Sequence, residues 1–504
     1  MTADPVPAAE HTPTADPTQL PDRPDPTVHE GFPHRPSVRT ILFGVAGARS
    51  RIGGALRALI AVALPGLVGL AVSGGVGAAV STLGAFAVVY GERRLHRVRW
   101  QVVCGYGVVL VGCATAGALV GHGMRSWPTT LGWIVLCALM IAIAVGAAVW
   151  VDLLREPAPG SFLLVLCAEL AGVLVAHSTA SVGAVIGWTA AGAGSALLVT
   201  LCAALPDVWR SRTGRADTDS PGITSTPDPE RTDTPTVAER LRWGHRSVRT
   251  RTLALRLGLA CVIAGGAAIA VGLPRPDWAV ITAAMILHQG PDRLLGSWRG
   301  VHRLVGTVLG VLVLAALAVP LQIPAVLIIA VAVLMAVTEV FLVVNYSIAM
   351  IVITPLAMIL GELAPPASLG PTLFARILET VVGVTVAVTV LWVVLPRAHR
   401  SILADANARV AASITDAATE PDSLPHHRRL DHALRTGAAA LRHAAHCEPE
   451  WARRRWPAHH GLHTSGRELL ADRERAATAA PMPAPPIRPR PGAPQDGSEA
   501  GPTG

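Results

Sequence analysis

The sequence contains no lysine, so all 42 of its permanently basic side chains are arginines. Only 15% of the residues are charged and only 4% are aromatic, whereas 51% are hydrophobic. A soluble globular domain carries about 25% charged residues. Here the long apolar blocks alternate with short basic segments, as membrane spans alternate with their loops. The scarcity of aromatic rings predicts that the helices pack through small residues.

Motifs of the common enzyme chemistries are also missing. The sequence has no Gly-rich phosphate-binding loop, no nucleophile elbow and no His-Glu-x-x-His zinc motif. No two of the 7 cysteines have the spacing of a metal or redox site. We therefore expect no enzymatic activity, no cofactor and no metal. The arginine-rich segments lie beside apolar spans without a recognition motif, so they indicate topology and not binding to nucleic acid.

The apolar blocks predict an all-α polytopic membrane protein with about 12 transmembrane helices. Six are expected in residues 51–206 and six in residues 251–397, with a polar linker at 207–250 between them. The two halves look like copies, because Ala-Leu-Arg opens both and Leu-Pro closes both. A basic loop is expected after the second span of each half. An even number of spans per half makes the two repeats parallel.

The remaining segments are polar. Residues 1–50 and 479–504 are predicted to be disordered tails, whereas residues 398–478 have helical spacing and predict a small helical region. With six spans per half, all the basic segments fall on one side of the membrane. The positive-inside rule then places the linker and both termini in the cytoplasm, and the protein in the cell (plasma or inner) membrane.

Arginines and glycines in the apolar spans give the first candidate sites. Burying a charge in lipid costs several kcal/mol and needs a reason. Arg57 and Arg256 take matching places near the cytoplasmic ends of the opening spans. They either extend to the interface or form an anion-attracting pair at the mouth of a pathway. The GxxxG pairs Gly306/Gly310 and Gly183/Gly187 predict close helix contacts and are compatible with a homodimer.

Three further residues are candidates for coupling to protons. Glu169 lies in the middle of the fifth span, where it either carries a proton or pairs with an arginine. Glu379 follows Arg376 by one helical turn, a spacing that favours an intrahelical ion pair. His288 ends a short span, where it either titrates near neutral pH or forms a polar tip at the interface.

A family resemblance is carried by three segments of the second half. They are Pro276-Asp277-Trp278-Ala279-Val280-Ile281-Thr282, then Arg299-Gly300-Val301-His302-Arg303-Leu304-Val305-Gly306-Thr307-Val308-Leu309-Gly310, then Arg376, Glu379, Thr380, Gly383 and Pro396. In these segments the chain resembles the fusaric acid resistance family, the aromatic acid exporters of the inner membrane. The resemblance covers about residues 50–400 and is clearest in the second half.

The resemblance implies export of weak organic or aromatic acids, driven by the proton gradient. It also implies similarity to the plant aluminium-activated malate transporters, which are anion channels. It makes Arg256, Arg299 and Arg303 candidates for contact with the anion, together with Arg57. The expected partners are an organic anion and membrane lipids. Two other functions stay open, a passive organic-anion channel and a membrane scaffold in envelope assembly.

Overall fold

A computed structural model of the chain describes residues 31–43, 51–92, 96–154, 160–212, 239, 242, 247–317, 323–362 and 369–479. Within these ranges the regular structure is entirely helical. The helices are α1 (Val38–Phe43), α2 (Ile52–Ala85), a 3₁₀ helix (Phe86–Val89), α3 (His96–Met124), α4 (Thr129–Leu154), α5 (Phe162–Ala176), α6 (Val182–Arg212), α7 (Val248–Ala270), α8 (Pro276–Leu287), α9 (Arg293–Leu317), α10 (Pro324–Val344), α11 (Tyr346–Glu362), α12 (Leu369–Val393), α13 (Ala398–Thr419), α14 (Leu424–Cys447) and α15 (Pro449–Ala479).

Eight helices in the described part of the chain are long and apolar enough to cross a bilayer. They are α2, α3, α4, α6, α7, α9, α10 and α12. Three shorter apolar helices, α5, α8 and α11, lie among them. The protein is therefore a polytopic membrane protein whose described part is helical, while the count of about twelve spans in two parallel repeats stays a prediction.

Helix lengths follow the same order in both halves. The kink in α2 lies at Gly74, where φ is 66°, and it divides α2 into a long and a short segment. The second and fifth segments are then the short ones in each half, and α5 and α8 are almost completely buried. Matching glycines with positive φ, Gly91 and Gly290, follow the second segments. Glycine adopts this conformation without steric cost.

The two halves pack against each other in a reciprocal way. The fourth helix of the first half, α4, contacts the first helix of the second half, α7. Correspondingly, α10 of the second half contacts α2 of the first. The fourth helix of each half therefore contacts the first helix of the other half.

Small residues permit the closest helix contacts, as predicted for one of the two GxxxG pairs. Gly306 and Gly310 of α9 lie against α11, and a Cβ on Gly310 would stand 2.7 Å from the carbonyl oxygen of Ile351. By contrast, Gly183 and Gly187 of α6 have no neighbouring atom within 4 Å of an added Cβ. The first pair therefore packs helices within the bundle, and a homodimer through the second pair stays a prediction.

The predicted basic loops are wrong at their C-terminal ends, because helices begin inside them. Helix α9 begins at Arg293, so Arg299 and Arg303 lie within a helix and are 9% and 1% exposed. In the first half α3 begins at His96, and Arg99 is 2% exposed. The buried side of α9 repeats at helical spacing with glycines between its arginines, and this leaves room for long side chains against neighbouring helices.

Helices α13, α14 and α15 form a C-terminal helical region with two hydrophobic clusters of its own. The expectation of a disordered N-terminal tail is wrong for residues 31–43. Phe32 packs edge-on against Trp456 at 6.2 Å, and the Arg35 guanidinium donates to the backbone carbonyl of His446. The predicted tails at 1–30 and 480–504, and nearly all of the linker beyond Arg212, lie outside the described residues.

Candidate anion and proton site

A group of charged side chains lies where α5, α8 and α12 meet in the middle of the bundle. Its acidic members are Glu169 on α5, Asp277 on α8 and Glu379 on α12, and all three are 0% exposed. Its basic members are Arg275, which precedes α8, and Arg376 on α12, at 9% and 5% exposure. We call these five residues the charged group. Buried charges of this kind are stable only when they pair with one another.

Arg275 contacts all three carboxylates of the charged group. Its Nη2 forms an ion pair with Glu169. Its Nε and Nη2 donate to Asp277 at 3.1 and 2.7 Å, and its backbone N–H donates to Glu379 Oε1 at 2.9 Å. Glu169 and Asp277 therefore share the Nη2 nitrogen of Arg275. The structure thus brings together two of the predicted proton-coupling residues, Glu169 and Glu379.

Helix α12 completes the group through the second motif of the resemblance. Arg376 Nη1 contacts Glu379 Oε2 at 2.5 Å, which confirms the predicted intrahelical ion pair. Thr380 Oγ1 accepts a hydrogen bond from the Trp278 indole at 3.2 Å. Gly383 allows the close approach of α12 to α8, because a Cβ there would stand 2.7 Å from the Ala279 carbonyl. Glu379, Thr380 and Gly383 of α12 therefore all lie where this helix contacts α8 and the residue that precedes it, Arg275.

Arg303 of α9 lies beside the charged group but lacks a counter-charge. Its guanidinium lies over the Trp278 ring at 5.4 Å, and Arg376 lies over the same ring at 5.1 Å. Its Nη1 is 3.7 Å from the sulfur of Met350, and its Nε has no hydrogen-bond partner among the described residues. No described carboxylate forms an ion pair with it. A buried guanidinium in this state favours an anionic ligand.

Arg299, one turn before Arg303, is largely occupied by the backbone. Its Nε donates to the carbonyl of Ile286 at 2.8 Å, and its Nη1 is 3.4 Å from the side-chain oxygen of Gln289. Arg299 therefore holds the C-terminal end of α8, with only Nη2 left without a partner among the described residues.

Arg57 and Arg256 lie away from the charged group and are used in different ways. Arg256 donates to the carbonyls of Val394, Leu395 and Pro291 at 3.0, 2.9 and 2.8 Å. It thereby ties the end of α12 to the turn before α9. Arg57 forms an ion pair with Glu92, whose other oxygen is 2.5 Å from Arg99. The structure does not bring either arginine to Arg303.

His288 lies at the opposite end of α8 from Asp277. Its Nδ1 is 3.1 Å from the carbonyls of Ala284 and Met285, and the side chain is buried. The length of α8 separates it from the charged group by roughly 16 Å. The structure therefore does not join this candidate to Glu169 and Glu379.

Arg275, Asp277 and Trp278 are site residues that the sequence reasoning missed. Their signal is the run Pro274-Arg275-Pro276-Asp277-Trp278 at the start of a short span, with Pro at the first helical position. Two opposite charges next to a fully apolar helix are as informative as the lone Glu169.

A second polar contact joins the start of α9 to the C-terminal helical region. Asp292 Oδ2 lies 2.7 Å from Nδ1 of His446, and Asp292 Oδ1 accepts from the backbone N–H of Leu295. Burial alone would raise the pKa of Asp292, but the hydrogen bond with His446 and the nearby His443 bring it below its usual range. Burial lowers the pKa of His443 itself to about 4. This contact anchors the helix that carries Arg303.

Residues 259–390 match the model of a family described as fusaric acid resistance protein-like. The match runs from within α7 to near the end of α12, and it includes the charged group except Glu169. It confirms the family resemblance in the half where the motifs are clearest. No curated protein and no solved structure shows significant similarity to the chain.

Proposed function

We propose that the protein transports weak organic acid anions out of the cell, and that Arg303 binds the carboxylate while the charged group binds a proton. The observation that carries this proposal is the state of Arg303, a buried cation with no counter-charge among the described residues. The match to a resistance family agrees with a transporter that removes a toxic acid.

The depth of Arg303 and the charged group supports a transport site. Arg303 stands about 15 Å from the start of α9, and Glu379 stands about 21 Å from the end of α12. The hydrocarbon core of a bilayer is about 30 Å thick, so both residues lie near its middle. Transporters built from repeats bind their substrates at that depth, where the repeats meet. Glu169 comes from the first half and all other members of the site from the second.

The proposed architecture consists of two parallel six-helix repeats related by an axis along the membrane normal. The shared order of helix lengths and the reciprocal contacts of α4 with α7 and of α10 with α2 support it. We place the basic segments, both termini and the C-terminal helical region in the cytoplasm, and the protein in the plasma or inner membrane.

A passive anion channel is the second candidate, favoured by the same unpaired Arg303. A channel needs this cation but has no use for a proton carrier. The charged group favours the transporter, because three buried carboxylates around two arginines leave one carboxylate to be neutralised by a proton or by a third cation. The scaffold function would act through the C-terminal helical region and would not need Arg303.

The test is uptake of a panel of aromatic acids into inverted membrane vesicles with and without an imposed pH gradient. We expect uptake by the wild type, its loss in Arg303→Gln, and its partial retention in Arg303→Lys. A pH-dependent rate that loses its dependence in Glu169→Gln supports the transporter. Uptake by the wild type that does not depend on pH supports the channel. If the well-folded protein transports no acid, both the transporter and the channel are contradicted, and the scaffold function is favoured.

A further inference from the structure

The charges around Trp278 balance when every group is ionised. Glu169, Asp277 and Glu379 supply three negative charges, and Arg275, Arg376 and Arg303 supply three positive ones. We infer that an anion and a proton bind this site together and cross the membrane together, so that each transport cycle moves no net charge. This inference rests on the proposed transport function and specifies its coupling.

The uncharged groups that face the site from the surrounding helices are the Cys137 thiol on α4, the His302 imidazole on α9 and the Tyr346 hydroxyl on α11. Arg299, one turn before Arg303, also faces Tyr346, but its guanidinium is bound to the Ile286 carbonyl at the far end of α8, and we count it with that helix end and not with the site. His302 lies between Trp298 and Tyr346 at 6.1 and 6.2 Å, and neither ring nitrogen has a hydrogen-bond partner in the described residues. With no carboxylate beside it, His302 counts as neutral.

The energetic argument compares four states of the site. The empty site is neutral. An anion alone leaves a net charge of −1 and a proton alone leaves +1, and an uncompensated charge in the middle of a membrane protein costs several kcal/mol. When both are bound the site is neutral again. The two neutral states are therefore the ones that can reorient across the bilayer, which is the condition for co-transport and not for exchange.

The geometry supplies a place for each ligand. The carboxyls of Glu169 and Asp277 contact the same nitrogen of Arg275, so a proton can reside on either of two neighbouring acids. An anion on Arg303 would lie near Arg376, because both guanidinium groups lie over the Trp278 ring, and the carboxylate partner of Arg376 is Glu379. The negative charge of a bound anion therefore favours protonation of the nearby acids, and protonation in turn strengthens anion binding.

Electroneutral co-transport determines which gradient drives transport. Flux follows the gradient of the acid as a whole, anion plus proton, and the membrane potential does not enter. This differs from the expectation that the proton gradient drives export. Such a protein discharges acid that accumulates inside the cell, and it does not pump acid out against its gradient.

The experiment uses the full chain in proteoliposomes, with 4-hydroxybenzoate as the probe and potassium with valinomycin to set the membrane potential. The rate in Arg303→Gln liposomes is subtracted to remove passive leakage of the undissociated acid. We expect wild-type accumulation to stay the same when 100 mV is imposed, and an internal pH dye to report one proton per anion. Movement of one uncompensated charge would instead change accumulation by about 50-fold, and that result would overturn the inference.

Two matched variants sharpen the test. Glu169→Gln removes one negative charge, so the site becomes neutral with the anion alone. We expect its flux to become dependent on potential and independent of pH, and Glu379→Gln provides the same test if the first variant does not fold. Glu339→Gln, a buried acid outside the site, should stay electroneutral. If the Glu169 and Glu379 variants both remain electroneutral, the inference fails while the transport function stands. If the wild type does not transport 4-hydroxybenzoate at all, the proposed transport function itself is contradicted.

Discussion

The two halves of the bundle share a plan of helices but differ in buried charge. Both place short, buried segments second and fifth, and both turn at matching glycines. Yet where the second half has Arg275 and Asp277 at the start of its second segment, the first half has a run of Gly, Val and Ala after Gly74. The charged group therefore comes from the second half, except for Glu169, which the first half contributes.

Matched arginines of the two halves separate structural from functional roles. Arg99 donates to the carbonyl of Val88 at 2.9 Å, and Arg299 donates to the carbonyl of Ile286 at 2.8 Å. Each joins the start of the third helix to the end of the second segment. Because the charge-poor half contains the same contact, we interpret Arg299 as a structural residue. Arg303 has no such counterpart, since the corresponding part of α3 is apolar.

The largest predicted effect distinguishes these two arginines of α9. Arg303→Gln should lower anion transport by at least about 30-fold, because it removes the buried positive charge beside the charged group that forms no ion pair with a described carboxylate. Arg299→Gln should lower the thermal stability of the protein and leave the transport rate per folded molecule within about twofold. The measurement is initial uptake normalised to folded protein by size-exclusion chromatography.

Equal losses of transport in Arg303→Gln and Arg299→Gln would contradict the assignment of a functional role to Arg303 and a structural role to Arg299. The conservative variant Arg303→Lys serves as the control, because it keeps the charge and loses the planar fork of the guanidinium. Its transport should fall between those of the wild type and Arg303→Gln.

The next prediction compares the glycine pairs of the two halves. Gly306→Val should destabilise the protein by about 3 kcal/mol, because the added side chain collides with Met350 in a well-packed contact. Gly187→Val should change stability by less than about 0.5 kcal/mol, because nothing lies within 4 Å of an added Cβ there. Thermal unfolding in detergent measures both. A large loss of stability in Gly187→Val that depends on protein concentration would indicate instead that α6 packs against a second copy.

A third comparison concerns the arginines that open the halves. Arg256→Gln should cost about 2 kcal/mol, because three backbone carbonyls lose a charged donor. Arg57→Gln should cost less than about 1 kcal/mol, because Glu92 keeps its contact with Arg99. Chemical unfolding monitored by tryptophan fluorescence gives both values. A larger loss of stability in Arg57→Gln than in Arg256→Gln would mean that the ion pair of Arg57 with Glu92 stabilises the bundle more than its geometry indicates.

The sequence predicted the apolar spans and identified Glu169 and Glu379 as unusual acids within them. It did not predict that these acids lie together in the charged group. Hydrophobic runs predict the membrane spans, because a span needs about 20 consecutive apolar residues. Glu169 and Glu379 are visible because a charge in an apolar run has few explanations. Their contact through Arg275 depends on how α5, α8 and α12 meet, which periodicity does not encode. The helical start of α9 was missed because its arginines resemble a loop until their buried face is known.

The smallest predicted effect comes from the contact that Asp292 of the second half makes with the C-terminal helical region. Asp292 reaches His446, whereas Glu92 at the matching turn stays within the bundle with Arg57. Near Asp292, burial lowers the pKa of His443 to about 4, below the ordinary value of about 6.5. Between those two values the unfolded chain binds a proton that the folded chain does not, so stability is full above about pH 6.5 and falls as the pH drops towards 4.

Lowering the pH from 7.5 to 6 should therefore cost about 1 kcal/mol through His443 alone. Protection factors for hydrogen exchange in α14, which are corrected for the slower intrinsic exchange at lower pH, should fall over this range, while those in α3 to α6 should not. His443→Gln should remove the pH response of α14, and His426→Gln, on the same helix but less buried, should retain it. A response that survives in His443→Gln would assign the sensitivity to another group. A response that spreads to the first half would mean that the contact at Asp292 couples the whole bundle and not only the helix that carries Arg303.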